Sequence, residues 1–227
     1  MTTGNVIITG GASGLGAATA DAVHEAGGVP LVIDVRQPDS TYEFVKADLA
    51  DGREAERAVE EFARRHGRID GVFTAAGIDV CGRLEDVPAT DWERVVQVNL
   101  LGTAAVVRAA LPYLIESHGT VVTCASTLGI KAVSDATAYC AAKFGVVGFT
   151  RALAAETAGS VGVTLLIPGG MSTAFFDSRT EQYRPPADAK LNDPAAVART
   201  VLFALGQPPG CEVRELVVCS SEESSWP

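Results

Sequence analysis

The sequence has few residues of the kinds that bind metal ions or hydrolyse peptides and esters. Only three His occur among 227 residues, and none of His24, His66 and His118 belongs to a cluster of metal ligands. We therefore predict no catalytic metal and no Ser-His-Asp hydrolase. The five Cys form no CxxC pair, and their odd number is typical of reduced thiols in a cytoplasmic protein rather than of a disulfide framework.

Basic residues and long apolar runs are also scarce. Lys and Arg total 18 against 28 Asp and Glu, and the basic residues form no stripe that could follow a phosphate backbone. We therefore expect no nucleic-acid partner. No apolar run approaches the ~20 residues that span a bilayer, and Met1 leads through a few polar residues into an apolar strand, so we expect neither a targeting segment nor a membrane partner.

The sequence does contain a regular alternation of short apolar strands and Ala-rich helices. Strands that are apolar nearly throughout and joined by helices predict an α/β protein, with a single doubly wound parallel sheet and helices on both faces. We interpret residues 1–227 as one domain, with irregular segments at 172–192 and 220–227. The predicted strands are Asn5 to Thr9, Val29 to Ile33, Tyr42 to Lys46, Ile69 to Ala75, Thr120 to Cys124, Val161 to Ile167 and Val213 to Cys219, and the predicted helices after the first are Asp51 to His66, Asp91 to Ser117, Thr137 to Thr157 and Asp193 to Leu205.

A glycine-rich turn separates the first predicted strand from the first helix. Residues Thr9 to Gly16 read Thr-Gly-Gly-Ala-Ser-Gly-Leu-Gly. Glycine lets the backbone approach a ligand closely, and the free N–H groups and dipole of a helix start favour a pyrophosphate. By itself the turn is a weak indication of nucleotide binding, because such turns also simply close a strand onto a helix.

Asp34 strengthens the nucleotide interpretation. It lies eighteen residues past Gly16, at the end of the second predicted strand, where a carboxylate can accept hydrogen bonds from the adenosine ribose. The same carboxylate would repel a 2′-phosphate, which favours NAD. An ordinary Asp in a turn is the alternative. Arg36 keeps NADP open, because its guanidinium could receive that phosphate.

Tyr139 and Lys143 lie four residues apart in a predicted helix, so their side chains emerge on one face about one turn from each other. A tyrosine with its ordinary pKa of about 10 is a poor base at neutral pH, but a nearby ammonium and an oxidised nicotinamide would favour the phenolate. The spacing alone does not distinguish this chemistry from a half-buried Tyr beside a solvated Lys.

Six motifs occur in order between Asn5 and about Thr173. They are the turn with Gly10, Gly14 and Gly16, the pair Asp48-Leu49, Asn99 in Val-Asn-Leu-Leu-Gly, Ser126 thirteen residues before Tyr139, the pair Tyr139 and Lys143, and the segment Pro168 to Thr173. Together they resemble the short-chain dehydrogenase/reductase family of NAD(P)-binding proteins. The resemblance implies a Rossmann-like fold and an NAD-dependent oxidoreductase that transfers a hydride between nicotinamide and a secondary alcohol or ketone.

The resemblance also implies a role for each site residue. Tyr139 exchanges a proton with the substrate oxygen, Lys143 holds the nicotinamide ribose and lowers the pKa of Tyr139, and Ser126 hydrogen-bonds the substrate oxygen. Asn99 is expected to anchor a water that links Lys143 to solvent. The implied cofactor contacts are Gly10, Ser13, Gly14, Leu15, Gly16, Asp34, Asp48, Leu49, Ala76, Gly77, Tyr139, Lys143, Pro168, Gly169, Met171 and Thr173.

One motif departs from the family pattern. Thr74-Ala75-Ala76-Gly77 stands where the family has Asn-Asn-Ala-Gly, so we expect adjusted hydrogen bonding in the centre of the sheet. By resemblance, 172–192 corresponds to a substrate lid, and the protein is expected to be a homodimer or homotetramer that packs through the helices Asp91 to Ser117 and Thr137 to Thr157. The tail that ends in Trp226-Pro227 is expected to dock at another interface.

Two alternative functions stay open. The first is an NADPH-dependent ketoreductase of the 3-oxoacyl type, which a comparison of the two cofactors would distinguish. The second is a dinucleotide-sensing protein that has kept the fold and lost the chemistry. Retention of Tyr139, Lys143 and Ser126 argues against the second alternative. The identity of the substrate is not determined by fold or cofactor.

Overall fold

The computed structural model describes residues 3–226, which form one seven-stranded sheet. Every neighbouring pair of strands is parallel, which confirms the predicted doubly wound sheet. The strands are β1 Asn5–Thr9, β2 Val29–Asp34, β3 Glu43–Lys46, β4 Gly71–Thr74, β5 Thr120–Cys124, β6 Gly162–Pro168 and β7 Glu215–Val218. Their order is β3-β2-β1-β4-β5-β6-β7, so the chain switches direction between β1 and β4 and leaves a crevice at their carboxyl ends.

Helices cover both faces of this sheet. Within residues 3–226 the six α-helices are α1 Gly14–Glu25, α2 Gly52–His66, α3 Ala89–Val96, α4 Thr103–Ser117, α5 Thr137–Glu156 and α6 Pro194–Leu205. Alternate residues of β1 point to opposite faces, so Val6 and Ile8 belong to the apolar cluster that includes α1 and α6, and Ile7 belongs to the cluster that includes α2 and α4. The predicted helices and strands are all present, with ends that differ by one or two residues where turns begin.

The predicted helix Asp91 to Ser117 differs from a regular helix at its centre. Gln97–Gly102 is a wider π-helical segment between α3 and α4. The predicted long helix is therefore present, but its local widening was not predicted, because hydrophobic periodicity does not register a change of a few residues. This segment contains Asn99, whose side chain turns toward the loop after β4.

The whole helical stretch Ala89–Ser117 has 29 residues, and its most apolar 18-residue window has a mean hydropathy of 1.5. By length and composition alone it could cross a membrane, although polar residues interrupt it and it contains no continuous apolar run of that length. Half of this window is buried in the protein, and Val106, Ala110 and Leu114 belong to the core beneath the sheet. We therefore interpret it as a core helix, since long core helices meet the same criterion.

Candidate active site

A cavity of about 940 Å³ opens at the carboxyl edge of the sheet. The ends of β1, β2, β4, β5 and β6 all reach it, because parallel strands end at the same edge. Its lining contains all sixteen residues from Gly10 to Thr173 that the resemblance implies as cofactor contacts, and also Ser126. Asn99 is absent from this lining. The structure therefore brings the separate sequence motifs into one site of the size that holds a cofactor and a substrate.

The glycine-rich turn presents backbone N–H groups to the cavity. Gly10 and Gly14 have φ of +69° and +54°, a left-handed conformation that favours glycine. Gly16 lies so close to this turn that a Cβ would collide with the carbonyl oxygen of Gly10. Ser13 precedes α1 and makes no side-chain capping bond to it within the described chain. The first N–H groups of α1 can therefore bind an anion.

Asp34 links β2 to the glycine-rich turn. Its Oδ2 accepts a hydrogen bond from the N–H of Ala12 at 3.0 Å, and its Oδ1 accepts one from the N–H of Arg36 at 3.0 Å. The side chain of Arg36 lies across the turn, where it donates to Ser13 Oγ at 3.1 Å. Asp34 therefore faces the cavity in a fixed orientation, and an exposed guanidinium lies next to the same turn.

Asp48 is held by two donors. Its Oδ1 accepts from the N–H of Ala50 at 2.9 Å, and its Oδ2 accepts from the guanidinium of Arg94 at 2.9 Å. Partial burial acts to raise the pKa of Asp48, but these two donors outweigh it and hold the pKa below its usual value. Arg94 was not among the predicted site residues, because it lies 46 positions away along the chain and no local pattern connects it to Asp48.

Tyr139 and Lys143 lie together at the other end of the cavity. Lys143 Nζ is 5.6 Å from the centre of the Tyr139 ring and donates to the carbonyl oxygen of Cys124 at 2.8 Å. Burial raises the pKa of Tyr139, and Cys124 adds to this effect, while Ser126 opposes it. Burial also lowers the pKa of Lys143. Burial is therefore the main influence on both groups, and the lowering of the pKa of Tyr139 by Lys143 together with an oxidised nicotinamide stays a prediction.

Ser126 lies between the end of β5 and α5. Its Oγ accepts a hydrogen bond from the N–H of Leu128 at 3.1 Å and caps the short helical turn Thr127–Gly129. This contact uses the oxygen as an acceptor and leaves the hydroxyl proton free to be donated, so Ser126 can cap the turn and also bind a substrate oxygen.

Asn99 holds the loop that follows β4. Its Oδ1 accepts from the N–H of Ile78 and its Nδ2 donates to the carbonyl of Ile78, both at 2.8 Å. A Cβ at Gly77 would lie 3.5 Å from Asn99 Oδ1 and 3.7 Å from Lys143 Nζ, so the two side chains flank this glycine. The expected water at Asn99 stays a prediction. The structure shows a fully buried residue that positions Gly77 and Ile78.

The departure at Thr74 has a visible consequence. The Thr74 hydroxyl is buried and has no hydrogen-bond partner among residues 3–226. Thr9 supplies a hydrogen bond to the loop after β4, because its Oγ1 accepts from the N–H of Ala76 at 3.1 Å. This bond ties the end of β1 to the loop after β4, across the crevice where the chain switches direction.

Two further sets of contacts in the cavity were not predicted from the sequence. Asp79 and Arg179 form an ion pair of 2.7 Å inside it. The tail also reaches the cavity, because Glu223 Oε2 accepts from the N–H of Gly170 at 2.9 Å and Ser225 Oγ lies 2.6 Å from Thr127 Oγ1. Tail residues 223–225 thus contact their own chain. Docking of the tail at a subunit interface stays a prediction, and Pro227 lies outside the described residues.

A doubly wound sheet with a glycine-rich turn, an acid at the end of β2 and a Tyr-Lys pair at the same edge defines a dinucleotide-binding oxidoreductase. A family model described as short chain dehydrogenase matches residues 4–184. The chain belongs to the short-chain dehydrogenase/reductase family, which confirms the resemblance found in the sequence. It is therefore an oxidoreductase that binds a nicotinamide dinucleotide and acts on small molecules.

Individual relatives cover most of the chain. It is 32% identical over 212 residues to the short-chain dehydrogenase/reductase ABA4 of Pyricularia oryzae, covering 85% of this chain and 78% of that one. It is 31% identical over 225 residues to an uncharacterized oxidoreductase of Staphylococcus aureus, covering 93% and 95%. The crystal structure of levodione reductase is 29% identical, with a TM-score of 0.86 and 96% of each chain covered.

Proposed function

We propose that this protein is an NAD-dependent dehydrogenase that interconverts a secondary alcohol and a ketone, with Tyr139 as its acid/base. The main support for the proposal is that one continuous cavity joins the predicted cofactor contacts to the predicted catalytic residues. The glycine-rich turn and Asp34 form one end of this cavity, and Tyr139, Ser126 and Lys143 form the other. When bound, the dinucleotide supplies hydride transfer at nicotinamide C4.

The residues present fit such a cofactor. The turn has a conformation that favours glycine, since Gly10 and Gly14 have left-handed φ and a Cβ at Gly10 would collide with the backbone of Ala76. The N–H groups at the start of α1 suit a pyrophosphate. Asp34 would repel a 2′-phosphate, and this repulsion is the reason that we propose NAD.

The chain's own residues supply the proton chemistry. The buried Tyr139 is a phenol at neutral pH and can give its proton to a carbonyl oxygen in the direction of reduction. Oxidation requires the phenolate, so positive charge from Lys143 and from an oxidised cofactor must together overcome the burial effect. Lys143 uses one of its three N–H donors on Cys124 and has two left for ribose hydroxyls. Ser126 can donate to the substrate oxygen.

The test is a panel of secondary alcohols and their ketones, followed through the absorbance of reduced nicotinamide with NAD and NADP at equal concentrations. We expect Tyr139→Phe to lower kcat/KM by about 10³-fold, the middle of the range for a general acid/base. The dissociation constant for NADH should stay unchanged. Tyr113→Phe is the matched control, because Tyr113 packs against the core away from the cavity. Full activity of Tyr139→Phe would exclude the mechanism.

An NADPH-dependent ketoreductase is the second candidate. It is favoured by Arg36, whose exposed guanidinium lies over the glycine-rich turn next to Ser13. A strong preference for NADPH in the same assay would show that Asp34 does not exclude a 2′-phosphate, and would favour the ketoreductase. A dinucleotide-sensing protein would bind NADH and turn over no member of the panel.

We also propose a cytoplasmic homodimer or homotetramer. Support comes from apolar side chains on the outer surfaces of the helices expected at the interface, where Leu101 and Phe144 are 56% and 43% exposed. Light scattering at micromolar concentration measures the mass, and a monomer would contradict the assembly. The five free thiols are compatible with a reducing compartment.

A further inference from the structure

The substrate end of the cavity contains an ion pair that the proposed chemistry does not use. Arg179, in the segment 172–192, donates from Nη2 to Oδ2 of Asp79, which follows β4. The side chains of Asp79 and Arg179 are 3% and 15% exposed. Buried ion pairs contribute little net stability, because the loss of hydration offsets their attraction. Stability alone is therefore a weak reason for placing this pair in a cavity.

Each partner keeps one buried atom without a hydrogen bond. Asp79 Oδ1 and Arg179 Nε have no partner in the part of the chain that the structure describes. The other atoms are engaged, since Asp79 Oδ2 also accepts from Cys81 Sγ at 3.2 Å and Arg179 Nη1 donates to the carbonyl of Tyr183 at 3.3 Å. Leaving a buried acceptor and a buried donor unpaired is unfavourable, so we expect a ligand group to complete both.

This pair lies close to the reacting group. The ring of Phe175 is 5.8 Å from that of Tyr139, and the guanidinium of Arg179 is 5.3 Å from Phe175 and 4.7 Å from Phe176. Burial is the main cause of the raised pKa of Tyr139, and Asp79 and Arg179 add smaller effects of opposite sign. A small substrate whose oxygen contacts Tyr139 can therefore extend to Asp79 and Arg179.

The unpaired atoms restrict the kind of group that fits. A carboxylate would be repelled by Asp79 and an ammonium by Arg179. A ketone oxygen could accept from Nε but would leave Oδ1 unpaired. A hydroxyl is uncharged, donates one hydrogen bond and accepts another, so it satisfies both atoms at once.

We propose that Asp79 and Arg179 bind a second hydroxyl of the substrate, so that the preferred substrates are diols or polyols rather than simple alcohols. This inference rests on the proposed function, because Tyr139 and Ser126 receive the first oxygen. Asp79 and Arg179 are specificity-determining residues in this arrangement, and the aromatic rings of Phe175 and Phe176 pack against the carbon skeleton.

The first test compares cyclohexanol with cyclohexanediols whose second hydroxyl is one or two carbons from the first. We expect kcat/KM to be at least about tenfold higher for one of the diols, because a site built to bind a hydroxyl discriminates against the analogue that lacks it. In the double variant Asp79→Leu with Arg179→Met, which removes both charges together, this ratio should fall to about one. Glu181→Gln is the control, since Glu181 is exposed in the same segment and lies outside the cavity lining.

Asp79→Asn provides a second variant if circular dichroism shows that the double variant does not fold. It removes the charge at nearly constant shape, and we expect it to reduce the diol preference at least about threefold. The inference is overturned if the unmodified protein uses cyclohexanol as well as every diol, or if the folded variants keep the diol preference.

A binding measurement separates this inference from the proposed function. Saturation-transfer NMR on the protein with NADH compares contact with a diol and with cyclohexanol without requiring turnover. A stronger signal for the diol that disappears in the folded variants supports the hydroxyl site even if no alcohol is oxidised. Equal signals for both ligands overturn it. Absence of turnover with NAD and NADP across the panel counts against the proposed function but not against the hydroxyl site.

Discussion

The two ends of the cavity are built in different ways. The cofactor end is formed mainly by backbone groups of one strand-turn-helix unit, with Gly10, Gly14 and Gly16 close together in sequence and Asp34 on the adjacent strand. The substrate end is formed by side chains from distant parts of the chain, such as Asp79, Arg179 and the tail. The first end follows from a local sequence pattern, whereas the second depends on contacts between distant segments of the chain.

This difference has consequences for mutation. Backbone at the cofactor end is fixed by the sheet on one side and α1 on the other, so it cannot move to accommodate extra atoms. Side chains at the substrate end are held by a few hydrogen bonds and can be changed without disturbing the sheet. We therefore expect changes at the cofactor end to weaken cofactor binding strongly, and changes at Asp79, Arg179 and the tail to alter specificity or substrate affinity.

The largest effect on cofactor binding is expected at Gly16. In Gly16→Ala the new Cβ would collide with the carbonyl oxygen of Gly10, which is backbone and cannot rotate away. The turn must shift, so we expect the affinity for NADH, measured by fluorescence titration, to fall about 100-fold or more, which corresponds to about 2.7 kcal/mol or more.

Gly148→Ala is the matched control for this change. Gly148 lies within α5, and a Cβ there would meet no atom within 4 Å. Replacing glycine by alanine inside a helix stabilises it by roughly 0.5–1 kcal/mol, so the control should bind NADH normally and unfold at a slightly higher temperature. If Gly16→Ala binds NADH as tightly as the unmodified protein, the turn does not hold the cofactor, and the contrast between the two ends is lost.

The pH dependence tests the proton chemistry of Tyr139, at the end of the cavity opposite the glycine-rich turn. Burial raises the pKa of Tyr139, so the phenol predominates at neutral pH. Alcohol oxidation needs the phenolate, and we therefore expect kcat/KM to rise about tenfold per pH unit below the apparent pKa of the complex with NAD. Ketone reduction needs the phenol and should decline only above the apparent pKa of the complex with NADH. An oxidation rate that does not change from about pH 6 to pH 9 would show that Tyr139 is not the base.

The difference between the two ends also explains what the sequence could predict. The sheet, the helices and the turn from Gly10 to Gly16 follow from short-range patterns of apolar residues and glycine. The pairing of Tyr139 with Lys143 could be predicted because residues four apart lie about one helical turn from each other. Asp79 and Arg179 are 100 residues apart, and nothing in either local sequence indicates the other. The burial that raises the pKa of Tyr139 is likewise a property of the packed protein.

The smallest effect is expected at Glu223, where the tail meets the segment after β6. The donors Ser225 and Gly170 outweigh partial burial and hold the pKa of Glu223 below its usual value, so its carboxylate is charged at neutral pH. Glu223→Gln keeps one oxygen but loses an acceptor, which should loosen the contact with Gly170 or with Ser225. A loosened tail should raise KM for the alcohol about threefold, equivalent to roughly 0.65 kcal/mol, and leave the dissociation constant for NADH unchanged.

Glu60→Gln is the control for the tail, because Glu60 is exposed on α2 and lies outside the cavity lining. The measurement is a pair of titrations on each variant, one with alcohol at saturating NAD and one with NADH alone. If Glu223→Gln weakens NADH binding as much as it raises KM, the tail belongs to the cofactor end. Gly170 directly follows Gly169, a predicted cofactor contact. That outcome would therefore mean that the tail supports cofactor binding rather than substrate binding.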